Sequence, residues 1–220
     1  MEASIPHTIH HNTFWLSSER CIFWEEKKAL IIADLHLGKT GHFRKAGIAV
    51  PQAVFKEDLH RLFALIQHYR PEQLIVVGDM FHSKANKEID FFFRWRADLS
   101  YLQIHLIKGN HDILQEDWYE KACIKITTQQ SVIDKFCFVH DINEIKPEEL
   151  QESYFFSGHI HPGINVKSRS RQSLSFPCYY FSQQYAVLPA FSKFTGFVTI
   201  KPKRSDTIYA IVNQSLVQLQ

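Results

Sequence analysis

Apolar residues recur along the chain in two patterns, and each pattern predicts one kind of secondary structure. Short continuous apolar runs between polar residues are typical of buried strands, whereas apolar residues spaced three and four positions apart are typical of one helix face. The runs predict strands at residues 14–16, 21–25, 30–33, 74–78, 104–108, 136–139 and 154–157. The helical spacing predicts helices at residues 52–69 and 86–102.

The last third of the chain has a different pattern, which predicts short strands separated by polar and basic turns. These strands are expected at residues 164–167, 174–176, 185–188, 197–201 and 207–212. Residues 125–128 and 132–133 are predicted to pair with each other at a sheet edge. Alternating strands and helices followed by strands favour an α/β sandwich, in which two sheets pack face to face with helices outside. No repeat or linker divides the chain, so we expect residues 1–220 to form a single domain.

The composition is that of an ordinary globular protein, with 45% hydrophobic and 22% charged residues. A net charge of +2 is too small to indicate a nucleic-acid partner by itself. No apolar run reaches the roughly 20 residues that a membrane-spanning helix needs, and residues 1–13 are too polar for a signal peptide. We therefore expect a cytoplasmic protein with no membrane partner. The N-terminal residues, including His7, His10 and His11, are expected to be frayed.

Residues that commonly bind metals follow five of the predicted strands. They are Asp34, His36, Asp79, Asn110, His140, His159 and His161. Open α/β sheets bind ligands in the crevice outside the carboxyl ends of their strands, so these side chains are placed to hold a metal. Oxygen and imidazole donors together suit Mn²⁺, Fe or Zn²⁺ better than Mg²⁺. One metal would leave donors idle, so we expect two divalent transition metals that share a carboxylate. Such pairs activate water for in-line attack at phosphorus.

The same residues stand in a series of short motifs. In chain order the motifs are Asp34-x-His36, Gly78-Asp79, Gly109-Asn110-His111-Asp112, His140 and Gly158-His159-x-His161. The series resembles that of the calcineurin-like metallophosphoesterases, except that Val139 stands where a glycine usually precedes the histidine of the fourth motif. The resemblance implies a four-layer α-β-β-α sandwich of two mixed sheets, with a dinuclear metal site at the strand ends. It also implies a metal-dependent phosphoesterase activity.

By this resemblance each metal has its own ligands, and Asp79 bridges the two. The first metal would take Asp34, His36, Asp79 and His161, and the second would take Asp79, Asn110, His140 and His159. His111 would contact the phosphate and act as general acid for the leaving oxygen, oriented by Asp112. The residue type supports this role independently. His111 is not needed as a ligand, and imidazoles are the side chains best matched to proton transfer near neutral pH.

A narrower resemblance covers nearly the whole chain. Leu-His-Leu-Gly-Lys at residues 35–39, Phe-Arg-Lys-Ala-Gly at 43–47 and Leu-Pro-Ala-Phe at 188–191 are similar to motifs of the bacterial DNA ligase-associated metallophosphoesterases (PdeM type). That family implies a Mn²⁺-dependent phosphodiesterase or endonuclease that acts on DNA, mainly single-stranded DNA, in repair. It also implies a pathway shared with an ATP-dependent DNA ligase, a helicase and an exonuclease.

The loop at residues 38–51 carries three basic residues beside the expected metals, namely Lys39, Arg44 and Lys45. They are predicted to bind the DNA backbone, because basic side chains supply the phosphate contacts of protein–DNA interfaces. A solvated loop is the alternative. Two other functions fit the same motifs: hydrolysis of a small compound by a phosphatase or nucleotide pyrophosphatase, and an inactive metallophosphoesterase-like scaffold that binds proteins.

Overall fold

The first of two β-sheets has seven strands, which lie side by side in chain order. The computed structural model describes residues 4–39, 53–82, 87–167 and 173–219. Strands β1 to β7 are Ile5–Ile9, Asn12–Ser17, Cys21–Trp24, Ala29–Ala33, Gln73–Val77, Gln103–Ile107 and Ile124–Thr127. Strands β1 to β4 run antiparallel to one another, whereas β4 to β7 run parallel. The carboxyl ends of β4, β5 and β6 therefore meet at one edge.

The second sheet has nine strands. Strands β8 to β16 are Gln130–Ile133, Phe136–Val139, Tyr154–Ser157, Pro162–Lys167, Ser173–Phe181, Tyr185–Val187, Val198–Thr199, Thr207–Val212 and Ser215–Gln218. Their order is β14-β11-β12-β13-β10-β9-β8, with β15 paired to β12 and β16 to β15. Strands β9, β10 and β13 run parallel, and β8 and β12 flank them in the antiparallel direction. Both sheets are therefore mixed, which confirms the expected fold class.

Strand β4 is continuously apolar because both of its faces are buried. Leu30 and Ile32 belong to a hydrophobic cluster on the helix side of the sheet, whereas Ile31 and Ala33 belong to a cluster between the sheets. Side chains alternate across a strand, so a strand covered on both faces needs an unbroken apolar run. The cluster between the sheets includes Phe14, Trp24, Phe136, Phe138, Phe156 and Tyr179.

Within the described residues, three α-helices cover the outer face of the first sheet: α1 (Ala53–Tyr69), α2 (Lys87–Asp98) and α3 (Glu116–Lys121). The apolar stripe of α1 enters the helix-side cluster through Leu59, Leu62, Leu65 and Ile66. None of the helices in the described ranges is long and apolar enough to span a membrane. The helix predicted at residues 86–102 ends at Asp98. The Arg96 guanidinium donates to the carbonyl oxygen of Leu99, just beyond that end, and to that of Ala122, which follows α3.

The outer face of the second sheet is covered by two single-turn 3₁₀ helices, Ile142–Glu144 and Glu149–Gln151. They lie over a small cluster that includes Cys137, Val139 and Phe155. Val139 is therefore buried on the side of its strand that faces these turns. This position explains how a branched residue is accommodated before His140, where the family pattern has a glycine.

The N-terminal segment forms strand β1, so the prediction of a frayed terminus is wrong. Residues Ile5 to Ile9 pair with β2, and the His7 ring packs 4.1 Å from the Phe181 ring. His10 and His11 form the tight turn between β1 and β2, both with positive φ. A five-residue strand at a sheet edge, with His7 at its central inward position, has no strong apolar pattern, because only alternate residues face the core.

The predicted pairing of residues 125–128 with residues 132–133 is also wrong. Strand β7 pairs with β6 in the first sheet, whereas β8 pairs with β9 in the second sheet. The two residues between β7 and β8 therefore carry the chain from one sheet to the other. Proximity along the chain favoured a local pair, but β7 extends the parallel strands of the first sheet and β8 forms an antiparallel hairpin with β9.

Candidate dinuclear metal site

The side chains expected to bind metal come together where five strand ends meet. Asp34 and His36 follow β4, Asp79 follows β5 and Asn110 follows β6, all in the first sheet. His140 follows β9, and His159 and His161 follow β10, both in the second sheet. A hydrogen bond links the two sheets here: the backbone N–H of His159 donates to the carboxylate oxygen Oδ2 of Asp34 at 3.1 Å.

Five of these seven residues have a left-handed backbone. The φ angles are 54° at Asp34, 50° at His36, 49° at Asp79, 63° at His159 and 49° at His161. Residues other than glycine adopt this conformation rarely, and such strain is concentrated at functional sites. The unusual backbone coincides with the residues that the motifs single out, which supports a functional role for this edge of the sandwich.

Three glycines leave the space that these side chains occupy. A Cβ atom at Gly78 would lie 1.8 Å from His140 Nδ1, one at Gly109 would lie 2.2 Å from Asp79 Oδ1, and one at Gly158 would lie 2.6 Å from Asp34 Oδ2. All three distances are far below van der Waals contact. Each glycine precedes a predicted ligand in its motif and makes room for a predicted ligand from another strand. The glycines are therefore required by contacts across the site.

We expect Gly78→Ala to destabilise the protein and weaken metal binding. The φ of Gly78 is +79°, where an L-residue costs about 1–2 kcal/mol, and the new methyl group would overlap His140. The free energy of unfolding should fall by at least about 1–2 kcal/mol in denaturant titrations. Gly196→Ala is the matched control, because nothing lies within 4 Å of a Cβ there. Equal stability of the two variants would contradict the predicted contact between Gly78 and His140.

Six of the seven side chains fall into two groups, each compact enough to hold one ion. Asp34, His36 and His161 form the first group, and Asp79, His140 and His159 form the second. Within each group the candidate ligand atoms lie within 4.8 Å of one another. The seventh side chain, Asn110, joins the second group through Oδ1, which lies 3.0 Å from His140 Nε2.

Asp79 stands between the two groups. Its Oδ2 atom lies 3.9 Å from Nε2 of His36 in the first group, and its Oδ1 atom lies 3.6 Å from Nε2 of His140 in the second. Its carboxylate is also held by the backbone N–H of His111, which donates to Oδ1 at 2.9 Å. A carboxylate with one oxygen toward each group has the geometry of a bridging ligand.

The imidazole nitrogens of the first group support a metal at this position. The Nε2 atoms of His36 and His161 are both buried. That of His36 has no hydrogen-bond partner among the described residues, and that of His161 faces Asp34 Oδ1 at 3.3 Å. A buried polar atom without a partner is costly, so such an atom normally binds a proton donor, water or metal. Two buried nitrogens beside the Asp34 carboxylate fit a divalent cation that accepts nitrogen and oxygen donors.

Electrostatics also favour metal-binding forms of these side chains. Burial lowers the pKa of the His36 imidazole to about 2, and the Lys39 ammonium acts in the same direction. His36 is therefore neutral, which leaves a nitrogen lone pair for a metal. Burial raises the pKa of the Asp34 carboxyl, and the neighbouring His161 opposes that effect. A divalent cation between them would stabilise the carboxylate without requiring a charged histidine.

A family model described as calcineurin-like phosphoesterase matches residues 27–185, a range that contains all seven residues. The chain belongs to the calcineurin-like phosphoesterase family. It is therefore a metal-dependent phosphoesterase, and the family's divalent metals agree with the two groups of candidate ligands. No match was found among curated proteins.

This calcineurin-like phosphoesterase is similar to a solved nuclease structure over nearly its full length. The nuclease MPE from Pseudomonas putida is 28% identical with a TM-score of 0.79, and the alignment covers 94% of this chain and 96% of that chain. The phosphoesterase Yfce from E. coli is 15% identical, with a TM-score of 0.45 and coverage of 87% and 97%. The protein AQ665 from Aquifex aeolicus, of unknown function, is 16% identical with a TM-score of 0.45, over 60% of this chain and 78% of that chain. The last two TM-scores are too low to support an inference.

His111 of the phosphoesterase lies at the mouth of the metal site. Its side chain is 41% exposed, and its Nε2 atom lies 4.0 Å from Asp79 Oδ2. The ring lies 5.5 Å from that of His36. A partly exposed imidazole beside the predicted bridging carboxylate can reach a phosphate held there and is not needed as a ligand. This placement is compatible with the predicted general acid.

Asp112 has different contacts from those predicted. Its two carboxylate oxygens accept the backbone N–H groups of Phe81 at 2.8 Å and Gly109 at 2.9 Å. Burial raises the pKa of this carboxyl to about 7, and the N–H donors oppose that effect. No hydrogen bond from Asp112 to the His111 imidazole is seen in the described ranges. Asp112 instead joins the loops that follow β5 and β6, which positions the backbone around Asp79 and His111.

Lys39 is the one predicted DNA-binding residue that the structure describes. It is partly buried, and burial lowers the pKa of its ammonium group while the carboxylates of Asp79 and Asp34 raise it. Lys39 therefore lies within electrostatic range of both predicted metal positions. Arg44 and Lys45 lie outside the described residues.

Two further residues contact the site, and their sequence positions alone did not assign them a function. His82 Nδ1 lies 3.3 Å from His36 Nδ1, and its ring lies 4.2 Å from the His111 ring. Asp141 Oδ2 lies 3.6 Å from His159 Nε2. Each lies one to three positions after a motif residue. The sequence signal that could have identified them was therefore an additional titratable residue beside a motif. Only the structure shows which ring nitrogens these residues meet.

Proposed function

We propose that this phosphoesterase hydrolyses phosphodiester bonds of DNA, with single-stranded DNA as the preferred substrate. The observation that carries the proposal is the similarity to a structure named as a nuclease, at 28% identity over 94% of this chain and 96% of that chain. The DNA ligase-associated motifs support the same substrate independently, because they are read from the sequence alone.

In this proposal the two groups of ligands would hold two divalent metals. Asp34, His36 and His161 would hold one, Asn110, His140 and His159 would hold the other, and Asp79 would contribute to both. The nitrogen and oxygen donors suit Mn²⁺, with Fe and Zn²⁺ as alternatives. The metals would supply charge neutralisation on the phosphate and a lowered pKa for the attacking water.

The protein's own residues complete the chemistry in defined ways. His111, in its protonated form, donates the proton from its imidazole to the leaving oxygen of the cleaved strand. The hydrogen bond from its backbone N–H to Asp79 Oδ1 fixes the His111 backbone beside the bridging carboxylate. Lys39 binds a phosphate of the DNA backbone beside the cleaved bond, since its ammonium lies near the same carboxylates.

A cavity of about 490 Å³ continues from the second group of ligands. It is lined by His140 and His159, by Thr128, Gln129 and Lys108, and by the carboxyl groups of Asp112, Asp141 and Glu144. In this proposal Lys108 contacts a phosphate next to the cleaved bond, whereas the three carboxyl groups disfavour direct phosphate contact with the rest of the wall.

A role in DNA repair rests on the motif resemblance rather than on the site. The resemblance links the chain to a pathway with an ATP-dependent DNA ligase, a helicase and an exonuclease. We propose the cytoplasm as the location, because DNA repair in a bacterium takes place there.

The proposed function is tested with a panel of substrates in Mn²⁺: single-stranded DNA, duplex DNA, a small chromogenic diester, monoesters and UDP-linked compounds. We expect cleavage of single-stranded DNA, its loss in a chelator and its recovery when Mn²⁺ is added back. An Asp79→Asn protein purified in parallel controls for contaminating nucleases. Efficient hydrolysis of a monoester or a UDP-linked compound, with DNA left intact, would favour a small-molecule phosphatase or pyrophosphatase. No turnover of any substrate with both metals bound would favour a binding scaffold.

A further inference from the structure

The two ring nitrogens of His159 meet different surroundings. The Nδ1 atom lies 3.1 Å from His140 Nε2. That His140 nitrogen also lies 3.0 Å from Asn110 Oδ1 and 3.6 Å from Asp79 Oδ1. These four atoms are close neighbours, so Nδ1 is the nitrogen that His159 presents to the second metal.

The other nitrogen of His159 faces a carboxylate. Its Nε2 atom lies 3.6 Å from Oδ2 of Asp141, and the Asp141 side chain is only 17% exposed. A neutral histidine that binds metal through Nδ1 must carry its proton on Nε2. The Nε2–H then points to an acceptor of the kind that commonly orients metal-binding histidines. Hydrogen bonds at such sites are often long before the ligand binds.

Asp141 is itself held in place. Its Oδ1 atom accepts the backbone N–H and the side-chain amide of Asn143, both at 2.9 Å, and thereby caps the 3₁₀ helix Ile142–Glu144. With Oδ1 fixed, Oδ2 remains available toward His159. The residue also follows His140 directly, so one short segment supplies both a predicted ligand and an acceptor for a second ligand.

We propose that Asp141 is a positioning residue, which fixes the Nε2–H tautomer and the ring orientation of His159 so that Nδ1 binds the second metal. This inference rests on the dinuclear site of the proposed function, and it does not depend on the substrate. It assigns Asp141 a role in metal affinity, although Asp141 is not itself one of the predicted ligands.

The test measures Mn²⁺ binding to metal-free protein by calorimetry or equilibrium dialysis. Asp141→Ser retains a hydroxyl that can cap the 3₁₀ helix but is too short to reach His159. Asp141→Asn retains the capping oxygen but turns an amide donor toward the Nε2–H. We expect both variants to weaken binding of the second Mn²⁺ by about 10–100-fold, as removal of such acceptors does in other metal sites. Binding of the first Mn²⁺ should be unchanged.

The matched control is Glu144→Gln, because Glu144 lines the same cavity and shows no contact with a predicted ligand in the described ranges. This variant removes the same charge from the same wall, and wild-type Mn²⁺ affinity is expected. Equal weakening in Glu144→Gln would show that charge alone matters and would overturn the proposal. Wild-type affinity in both Asp141 variants would also overturn it. If the wild-type protein itself bound fewer than two Mn²⁺ ions, the dinuclear site of the proposed function would be the assumption that failed.

The thermal midpoint of each metal-free variant separates metal binding from folding. We expect Asp141→Asn and Asp141→Ser to unfold within a few degrees of the wild type, because the helix cap is retained. In the Co²⁺-substituted protein, the visible spectrum of the second site should change in the Asp141 variants and not in Glu144→Gln. A lowered midpoint with an unchanged Co²⁺ spectrum would assign Asp141 to folding alone.

Discussion

Asp79→Asn is expected to lower kcat/KM for every phosphodiester by roughly 10³-fold or more. The carboxylate lies between the two groups of ligands, with Oδ2 toward His36 and Oδ1 toward His140. Asparagine keeps the shape but loses the negative charge and one metal-binding oxygen. Metals contribute several kcal/mol to phosphoryl transition states, and each 1.36 kcal/mol changes a rate tenfold. A loss of this size is the signature of a group on which both metals depend.

The measurement combines steady-state kinetics with metal content after dialysis. Asp79→Asn should retain fewer than two Mn²⁺ ions per chain, and added Mn²⁺ should not restore the rate. Asp134→Asn is the control, because Asp134 is 57% exposed and pairs with Lys27 away from the site. Near-normal turnover of Asp79→Asn would exclude the two-metal assignment, since no other carboxylate among the described residues lies between the groups.

His111→Ala is expected to reduce cleavage of single-stranded DNA by roughly 10²–10⁴-fold while both metals remain bound. The departing group of DNA is an alkoxide, which needs a proton, and His111 is a partly exposed imidazole whose Nε2 atom lies 4.0 Å from Asp79 Oδ2. A nitrophenyl diester releases an anion that is already stable at neutral pH. Its hydrolysis should therefore change far less than that of DNA.

The contrast between the two substrates makes this variant informative. Metal content is measured in the same samples, with His60→Ala on the exposed face of α1 as a control for loss of a surface histidine. A drop in metal content would mean that His111 is a ligand and not an acid. Equal losses on DNA and on the nitrophenyl diester would point to phosphate binding without proton transfer.

The metal site was predictable from sequence to the extent that its residues lie at strand ends. A continuous apolar run such as that in β4 indicates burial on both faces, and the polar residue after it must then stand at the edge of the sheet. This local pattern is enough to place Asp34, His36 and Asp79 at the carboxyl ends of their strands. The structure brings all seven predicted ligands to one edge, although their role as ligands stays a prediction until metal is measured.

The contacts of Asp112 could not be predicted in the same way. The resemblance to the metallophosphoesterases implied that Asp112 orients the adjacent His111 imidazole. In the folded chain both oxygens face backbone N–H groups, one of them from Phe81 in another loop. A carboxylate satisfies whichever donors the fold places nearest, and proximity along the chain does not decide which they are.

By itself, the sequence determined the strand and helix pattern, the order of the motifs and the chemical types of the donors, because each follows from local spacing and composition. The tertiary structure alone decided that β7 and β8 enter different sheets, that β1 is ordered and that Gly78 makes room for His140. It also decided which nitrogen of His159 faces Asp141. These features depend on atoms that are distant in sequence and become neighbours only when the two sheets pack, so no local pattern encodes them.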